Sequence, residues 1–112
     1  MKGITSHVLD TSAGRPAGGV AVLLERREGA AWSPCGRATT DADGRTGNLL
    51  SAGTPSPGTY RITFATGAYF AARDAHAFHP EVQVLFEVRD GEDHHHVPLL
   101  IAPFGYTTYR GS

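Results

Sequence analysis

Residues 94–112, at the end of the chain, read HHHVPLLIAPFGYTTYRGS and contain a histidine run, an apolar segment, a turn signal and a polar tail. The segment 94–101 predicts a β-strand, in which successive side chains point to opposite faces. Pro103 and Gly105 predict a turn. Residues 106–110 then predict an antiparallel strand that returns along the first one.

The same alternation places His94 and His96 on one face of the strand and His95 on the other. The returning strand carries residues 109–112 back toward the histidines, so we expect His96 and this tail to meet. A domain usually ends in frayed residues, whereas this tail carries aromatic, cationic and hydroxyl groups directly after a strand. Taken alone, however, three adjacent histidines are better explained as the solvated start of a strand.

Short segments of alternating apolar residues recur along the rest of the chain, with glycine- and proline-containing turns between them. They predict strands over residues 4–10, 20–26, 32–40, 60–65 and 82–88. Pro34 and Gly36 weaken the third of these, which we therefore expect at a sheet edge. Residues 67–76 predict a short helix. Together with the two C-terminal segments, this pattern favours an all-β fold, an antiparallel two-sheet β-sandwich of about eight strands.

The length and charge of the chain limit the classes of protein to which it belongs. Its 112 residues suffice for one hydrophobic core, so we expect a single domain over residues 1–112. A formal net charge of −1 gives no electrostatic reason to expect nucleic acid or an anionic membrane as a partner. No apolar run reaches the length of a membrane span, and residues 1–3 lack the apolar core of a signal peptide. The single Cys35 excludes an intrachain disulfide, and we expect a cytoplasmic protein.

Metal binding is the first chemistry that the histidines suggest. A closed zinc site needs about four converging ligands. His94 and His96 share a face and His7 could join them, but His95 points away. The acidic turn Asp41–Arg45 lacks the closing glutamate of a calcium loop. We therefore predict no metal in the site, with adventitious binding by the histidine run left open.

General acid–base catalysis fits the sequence better than covalent catalysis. There is no G-x-S-x-G motif, and Cys35 has no base beside it in the sequence. Histidine titrates near neutral pH and can take a proton from water or return one to a leaving nitrogen. A nearby arginine can bind a planar carbonyl edge with its forked donors. Two histidines, one arginine and a terminal hydroxyl therefore suit hydrolysis of a polar cyclic amide, provided that the fold brings them together.

Several motifs along the chain match one known family. They are TSHVLDT at residues 5–11, GRPA at 14–17, DGR at 43–45, GTY at 58–60, HHHVPLL at 94–100 and YTTYRGS at 106–112. In this order they resemble the transthyretin-like family and, within it, the 5-hydroxyisourate hydrolases, whose signature is the terminal Tyr-Arg-Gly-Ser. The chain departs from the family at His95, where tyrosine is more common. Because strand alternation places this position on the face opposite His96, we expect little effect on the chemistry.

The resemblance implies a transthyretin-like sandwich of eight strands with one short helix. It also implies a homotetramer, a dimer of dimers whose edge strands pair between subunits and whose active sites lie in the channel between the dimers. The implied reaction adds water across a ring amide of the small-molecule substrate 5-hydroxyisourate and gives 2-oxo-4-hydroxy-4-carboxy-5-ureidoimidazoline, in urate degradation toward allantoin. No metal or organic cofactor is implied.

Position by position, the resemblance assigns roles to residues from both ends of the chain. The catalytic residues that it implies are His7, Arg45 and His96, with the terminal segment 109–112 completing the pocket, and we predict Ser112 as a further catalytic residue. The substrate-binding residues that it implies are His7, Arg45, Tyr109 and Arg110. In this hypothesis the two histidines and the terminal hydroxyl position and deprotonate the water, while the guanidinium holds the carbonyl edge of the substrate. The sequence leaves open which histidine is the base and which is the acid.

Two other classes of function compete with the hydrolase. A non-catalytic transthyretin-like protein would bind a small aromatic ligand in the same channel, but a carrier has no need of paired titratable groups. A structural sandwich module of an adhesion or regulatory protein is the third hypothesis. The sequence shows neither a signal peptide nor flanking domains, which counts against it.

Overall fold

Two four-stranded sheets face each other, with strand orders β2-β1-β7-β8 and β4-β3-β5-β6. This computed structural model describes residues 3–51 and 53–112. The elements are β1 (Gly3–Asp10), β2 (Arg15–Pro16), β3 (Ala21–Glu28), β4 (Ala31–Thr39), β5 (Gly58–Phe64), α1 (Thr66–Ala71), β6 (Val82–Val88), β7 (His94–Ala102) and β8 (Gly105–Thr108). The predicted two-sheet sandwich of eight strands with a short helix is confirmed.

Alternating apolar side chains explain how the two sheets pack. In β5, Tyr60, Ile62 and Phe64 are almost completely buried, while the residues between them are half-buried. One face of each sheet therefore contributes to a shared apolar core, as a period of two residues requires. The other buried apolar residues of this core are Ile4, Val8, Ala17, Val20, Val22, Leu24, Leu49, Tyr69, Phe70, Val82, Val84, Val88, Val97, Leu99 and Ile101.

β1 and β7 pair in parallel, which corrects the expectation of purely antiparallel pairing. The register runs from Gly3 opposite His94 to Asp10 opposite Ile101. A parallel pair needs a long crossover connection, and here that connection includes the whole second sheet. As a result, the N-terminal strand lies directly beside the histidine strand.

The edge position of β4 agrees with the prediction from its proline and glycine, because β4 is the outer strand of its sheet.

The connection before β4 is shorter than the polar segment 26–30 suggested, since β3 continues to Glu28. In this extension Arg27 pairs with Trp32 of β4, and its guanidinium lies over the Trp32 ring at 4.9 Å. Polar residues on an exposed sheet face thus continue a strand without an apolar pattern.

The helix is shorter than the predicted segment 67–76 and ends at Ala71. The next residues form tight turns, with the amides of Arg73 and Ala75 both bonded to the carbonyl of Phe70 and with Asp74 at a φ of 55°. Alanine content favours helix, but the chain must turn here to enter β6. Within the described ranges, no helix is long and apolar enough to cross a membrane.

Candidate active site

A cleft of about 140 Å³ opens beside the paired strands β1 and β7. Its lining residues are Thr5, Ser6, Arg45, Gly47, His96 and Ser112. Three of the predicted catalytic residues, Arg45, His96 and Ser112, therefore line one cleft, although they come from three distant parts of the chain.

The parallel register brings β1 against the histidine strand. Thr5 lies opposite His96, and the Thr5 Oγ1 atom is 2.8 Å from His96 Nδ1. Thr5 is buried, with 5% of its surface exposed. The sequence reasoning missed this residue. Its only signal in the sequence was that Thr5 shares a strand face with His7, because the two residues are two positions apart in the strand.

The acidic turn before Arg45 is organised by its own aspartate. Asp41 Oδ1 accepts hydrogen bonds from the backbone amides of Asp43 and Arg45, at 2.9 and 3.0 Å. Gly44 has a φ of 77°, and a Cβ atom there would lie 2.2 Å from the carbonyl oxygen of Val8. Only glycine therefore allows the chain to pass so close to β1 and to present Arg45.

Arg45 and His7 are neighbours across an isolated antiparallel bridge between their backbones. The His7 ring is half-buried, and its Nε2 atom donates a hydrogen bond to the carbonyl oxygen of Asp43 at 2.8 Å. A carbonyl can only accept, so Nε2 carries a proton and Nδ1 of neutral His7 carries none. The Arg45 guanidinium makes no ion pair with another described residue.

The C-terminal tail returns to His96, as predicted. The Gly111 amide donates to the His96 carbonyl oxygen at 2.8 Å. A Cβ atom at Gly111 would lie 2.6 Å from His96 Cδ2 and 3.0 Å from Pro98 Cγ. The tail therefore packs against the imidazole ring only because residue 111 has no side chain, and Ser112 follows directly into the cleft.

Burial lowers the pKa of His96 below the usual histidine value of 6.5. The positive charges of Arg45, His7 and His94 lower this pKa further, because each disfavours a second cation nearby. His96 is therefore predominantly neutral at pH 7, with one ring nitrogen protonated and the other available as an acceptor.

Tyr109 and Arg110 lie outside this cleft. They line a separate cavity of about 250 Å³, between β6 and the C-terminal tail, of which His96 forms part of the wall. Tyr109 is 56% exposed, and Arg110 Nη1 lies 3.2 Å from Glu92 Oε2 in an ion pair. In a single chain, the predicted substrate-binding residues are thus divided between two neighbouring spaces.

His95 occupies the face opposite His96, as predicted from strand alternation. The residue is 3% exposed, and neither ring nitrogen has a hydrogen-bond partner among the described residues. The nearest carboxylate oxygen is Glu92 Oε1, 3.6 Å from Nε2. Burial, followed by the charge of Arg110, lowers the pKa of His95, so the ring is neutral at pH 7.

The described part of the chain offers no cluster of metal-ligating side chains. It contains no group of three His, Cys, Asp or Glu side chains with the geometry to hold a metal ion. The alternation along β7 explains why the histidine run does not form such a group, since His95 is directed away from His94 and His96.

The chain is similar to known proteins in both sequence and fold. Residues 4–111 match the sequence model of the HIUase/Transthyretin family. A 5-hydroxyisourate hydrolase of Deinococcus radiodurans is 45% identical, over 98% of this chain and 96% of the relative. The solved structure of Klebsiella pneumoniae 5-hydroxyisourate hydrolase is similar with a TM-score of 0.85 and 40% identity, covering 97% of this chain and 98% of the other.

A second solved structure is similar to this chain in fold. Sea bream transthyretin in complex with thyroxine has a TM-score of 0.90 and 32% identity, covering 96% of this chain and 93% of the other. The backbone thus resembles hydrolases and transthyretins alike, whereas the amino-acid identity is higher with the hydrolases.

Proposed function

The chain belongs to the HIUase/Transthyretin family, and we propose that it hydrolyses 5-hydroxyisourate to 2-oxo-4-hydroxy-4-carboxy-5-ureidoimidazoline, in the breakdown of urate. The observation that carries the proposal is the cleft that unites Arg45, His96 and Ser112, with His7 beside Arg45. Identity of 40–45% with proteins named 5-hydroxyisourate hydrolase supports it.

The reaction adds water across a ring amide. The water oxygen bonds to the amide carbon, the carbon–nitrogen bond breaks, and a proton moves from water to the leaving nitrogen. In our proposal His7 and His96 handle this proton, and each acid or base step contributes about 100- to 10,000-fold in rate. The Ser112 hydroxyl helps to position the water.

Arg45 is proposed to bind the carbonyl edge of the substrate and to stabilise the negative charge of the tetrahedral intermediate. Its guanidinium is exposed and makes no ion pair with another described residue, so its donors are free for a ligand. A planar fork of donors suits a planar carbonyl or imide edge better than a lysine does.

Tyr109 and Arg110 are proposed to complete the wall of the substrate pocket. Support comes from His96, which lines both the cleft and the cavity that holds these two residues. Arg110 is held in this position by Glu92. No role in proton transfer is proposed for either side chain.

The proposed assembly is a homotetramer, a dimer of dimers. β6 and β8 are edge strands, and each exposes an apolar side chain, Leu85 at 54% and Tyr106 at 43%. Exposed edges of this kind are suited to pairing with a second copy. Sedimentation equilibrium tests the proposal, and a mass near 11.9 kDa at micromolar concentration would contradict it.

The direct test follows the ultraviolet absorbance of freshly generated 5-hydroxyisourate with and without the protein. The compound also decays spontaneously, so the control is the same protein after heat denaturation. We expect decay that is faster in proportion to protein concentration. Decay at the spontaneous rate would refute the hydrolase.

A non-catalytic ligand carrier is not favoured. The sea bream transthyretin with bound thyroxine has the same fold, but it is less similar in sequence than the hydrolases are. Saturable binding of a small aromatic ligand without any acceleration of substrate decay would support a carrier instead.

A further inference from the structure

We propose that Thr5 is a positioning residue that sets the tautomer of His96: its hydroxyl donates to Nδ1 and so keeps the proton of the neutral ring on Nε2. This inference rests on the proposed function for its catalytic meaning. The geometry behind it is the 2.8 Å distance between Thr5 Oγ1 and His96 Nδ1.

The parallel pairing of β1 with β7 makes this contact specific. Thr5 and His96 lie directly opposite each other in the register, although 91 residues separate them in the chain. Gly111 packs against the same imidazole, so closely that any side chain at this position would clash with His96 Cδ2. The ring is thus held between a hydroxyl on one strand and the backbone of the returning tail.

The direction of the hydrogen bond follows from the surroundings of Thr5. A threonine hydroxyl has one hydrogen, and a buried hydrogen without an acceptor costs about 1–3 kcal/mol. His96 Nδ1 is the one hydrogen-bond partner of this hydroxyl within the described ranges. Thr5 therefore donates, Nδ1 accepts, and the neutral ring carries its proton on Nε2.

This tautomer separates the roles of the two histidines. Neutral His96 presents an N–H at Nε2, which can donate a hydrogen bond to a developing oxyanion, while the proton taken from water passes through the other histidine to the leaving nitrogen. His7 has its proton fixed on Nε2 by the carbonyl of Asp43, which leaves Nδ1 as an acceptor. We therefore assign the donor role to His96 and the acceptor role to His7.

The neighbouring hydroxyl shows how a purely structural contact differs. Ser6 Oγ donates to the backbone carbonyl of Val97 at 2.7 Å, on the opposite face of the same strand. That bond links two strands, and because its acceptor is a backbone carbonyl, it does not fix the protonation of any titratable group. The bond from Thr5, in contrast, ends on an imidazole that lines the cleft.

Nitrogen NMR of the imidazoles tests the tautomer without any substrate. Long-range ¹H–¹⁵N spectra of protein labelled at histidine distinguish a protonated from a bare ring nitrogen, and the signals lost in His96→Gln identify His96. Above neutral pH we expect a bare Nδ1 and a protonated Nε2 in the wild type and in Thr5→Ser. Thr5→Val keeps the shape of threonine but lacks the hydroxyl, and we expect its spectrum to shift toward a mixture of tautomers.

Turnover provides the second measurement. We expect Thr5→Val to lower kcat by about 10- to 100-fold, part of the contribution of one acid–base group, with KM changed less than about threefold. Thr5→Ser should restore kcat to within about threefold. Thr66→Val is the matched control, because Thr66 is buried at 2% exposure and its hydroxyl has no partner among the described residues.

Three results would overturn the proposal. They are a protonated Nδ1 in the wild type, an unchanged His96 spectrum in Thr5→Val, and the same loss of kcat in Thr5→Ser as in Thr5→Val. If Thr5→Val does not fold, the wild-type spectrum alone still decides. A protein with the expected tautomer but no turnover would refute the hydrolase while leaving the positioning role intact.

Discussion

Two polar clusters lie on the same strand, β1, and they use their hydrogen-bonding capacity in opposite ways. At one end, Asp10 is 2% exposed and accepts from the Ser12 amide and hydroxyl, the Ala13 amide and the Tyr69 hydroxyl, at 2.6–3.0 Å. Burial alone would raise the pKa of Asp10, but the bonds from Ser12, Tyr69 and Ala13 outweigh it, and the pKa lies below the usual value.

The cleft at the other end of β1 leaves its polar atoms available. The Arg45 guanidinium and the Ser112 hydroxyl make no hydrogen bond to another residue in the described ranges, and the His96 ring is hydrogen-bonded there through Nδ1 alone. A closed cluster stabilises the fold, while an open one can bind a substrate. Substitutions in the closed cluster should therefore lower stability, whereas substitutions in the open cluster should lower turnover.

Replacing His96 should have the largest effect. His96→Ala removes one of the two histidines that act on the reacting groups, and we expect kcat/KM to fall about 1,000-fold, equivalent to about 4 kcal/mol in activation free energy. The melting temperature should change by only a few degrees, because the ring lies at the cleft and not in the core.

His94→Ala is the matched control for that variant. His94 lies on the same face of the same strand but does not line the cleft. We expect it to retain turnover within about threefold of the wild type. Near-native turnover in His96→Ala, or an equal loss in both variants, would show that His96 has no specific catalytic role.

Replacing Asp10 should have the opposite effect and lower stability while leaving turnover nearly unchanged. Asp10→Ala leaves the buried Tyr69 hydroxyl without its acceptor, and we expect the free energy of unfolding to fall by about 3 kcal/mol. Urea denaturation measures this loss. Turnover per folded molecule should stay close to that of the wild type, and a stable variant without activity would contradict the separation of the two clusters.

Adding one methyl group to the tail should have a smaller effect. Gly111→Ala would place its Cβ 2.6 Å from His96 Cδ2, so the ring or the tail must shift. We expect kcat to fall about tenfold, or about 1.4 kcal/mol, with little change in stability. Gly105→Ala is the control because a Cβ there meets no atom within 4 Å. Equal effects of the two substitutions would argue against close packing at His96.

Mildly acidic pH should have the smallest effect, which is a decrease in the stability of the folded protein. The pKa values of His95 and His96 are lowered in the folded protein, mainly by burial, so the unfolded chain binds protons first as the pH falls. This contribution to stability is present above about pH 6.5 and is lost as the pH falls through the folded pKa values. Thermal unfolding at a series of pH values measures it. His95→Tyr should weaken the dependence, whereas a melting temperature that rises on acidification would contradict the lowered pKa values.

The amino-acid sequence by itself determined the local features of this protein. Alternation predicted β5, β6 and β7 closely, separated His95 from His96, and placed β4 at an edge. These features depend on residues a few positions apart, whose periodicity is a property of the backbone. The motifs by themselves also indicated the family.

Only the tertiary structure decided which distant groups meet. The parallel register of β1 with β7 places Thr5 beside His96, and no local pattern encodes a contact across 91 residues. No local pattern shows, either, that Ser112 lies in the cleft while Arg110 lies in the neighbouring cavity. Such pairings follow from burying the apolar faces of both sheets at once, which is a property of the whole chain and not of any segment.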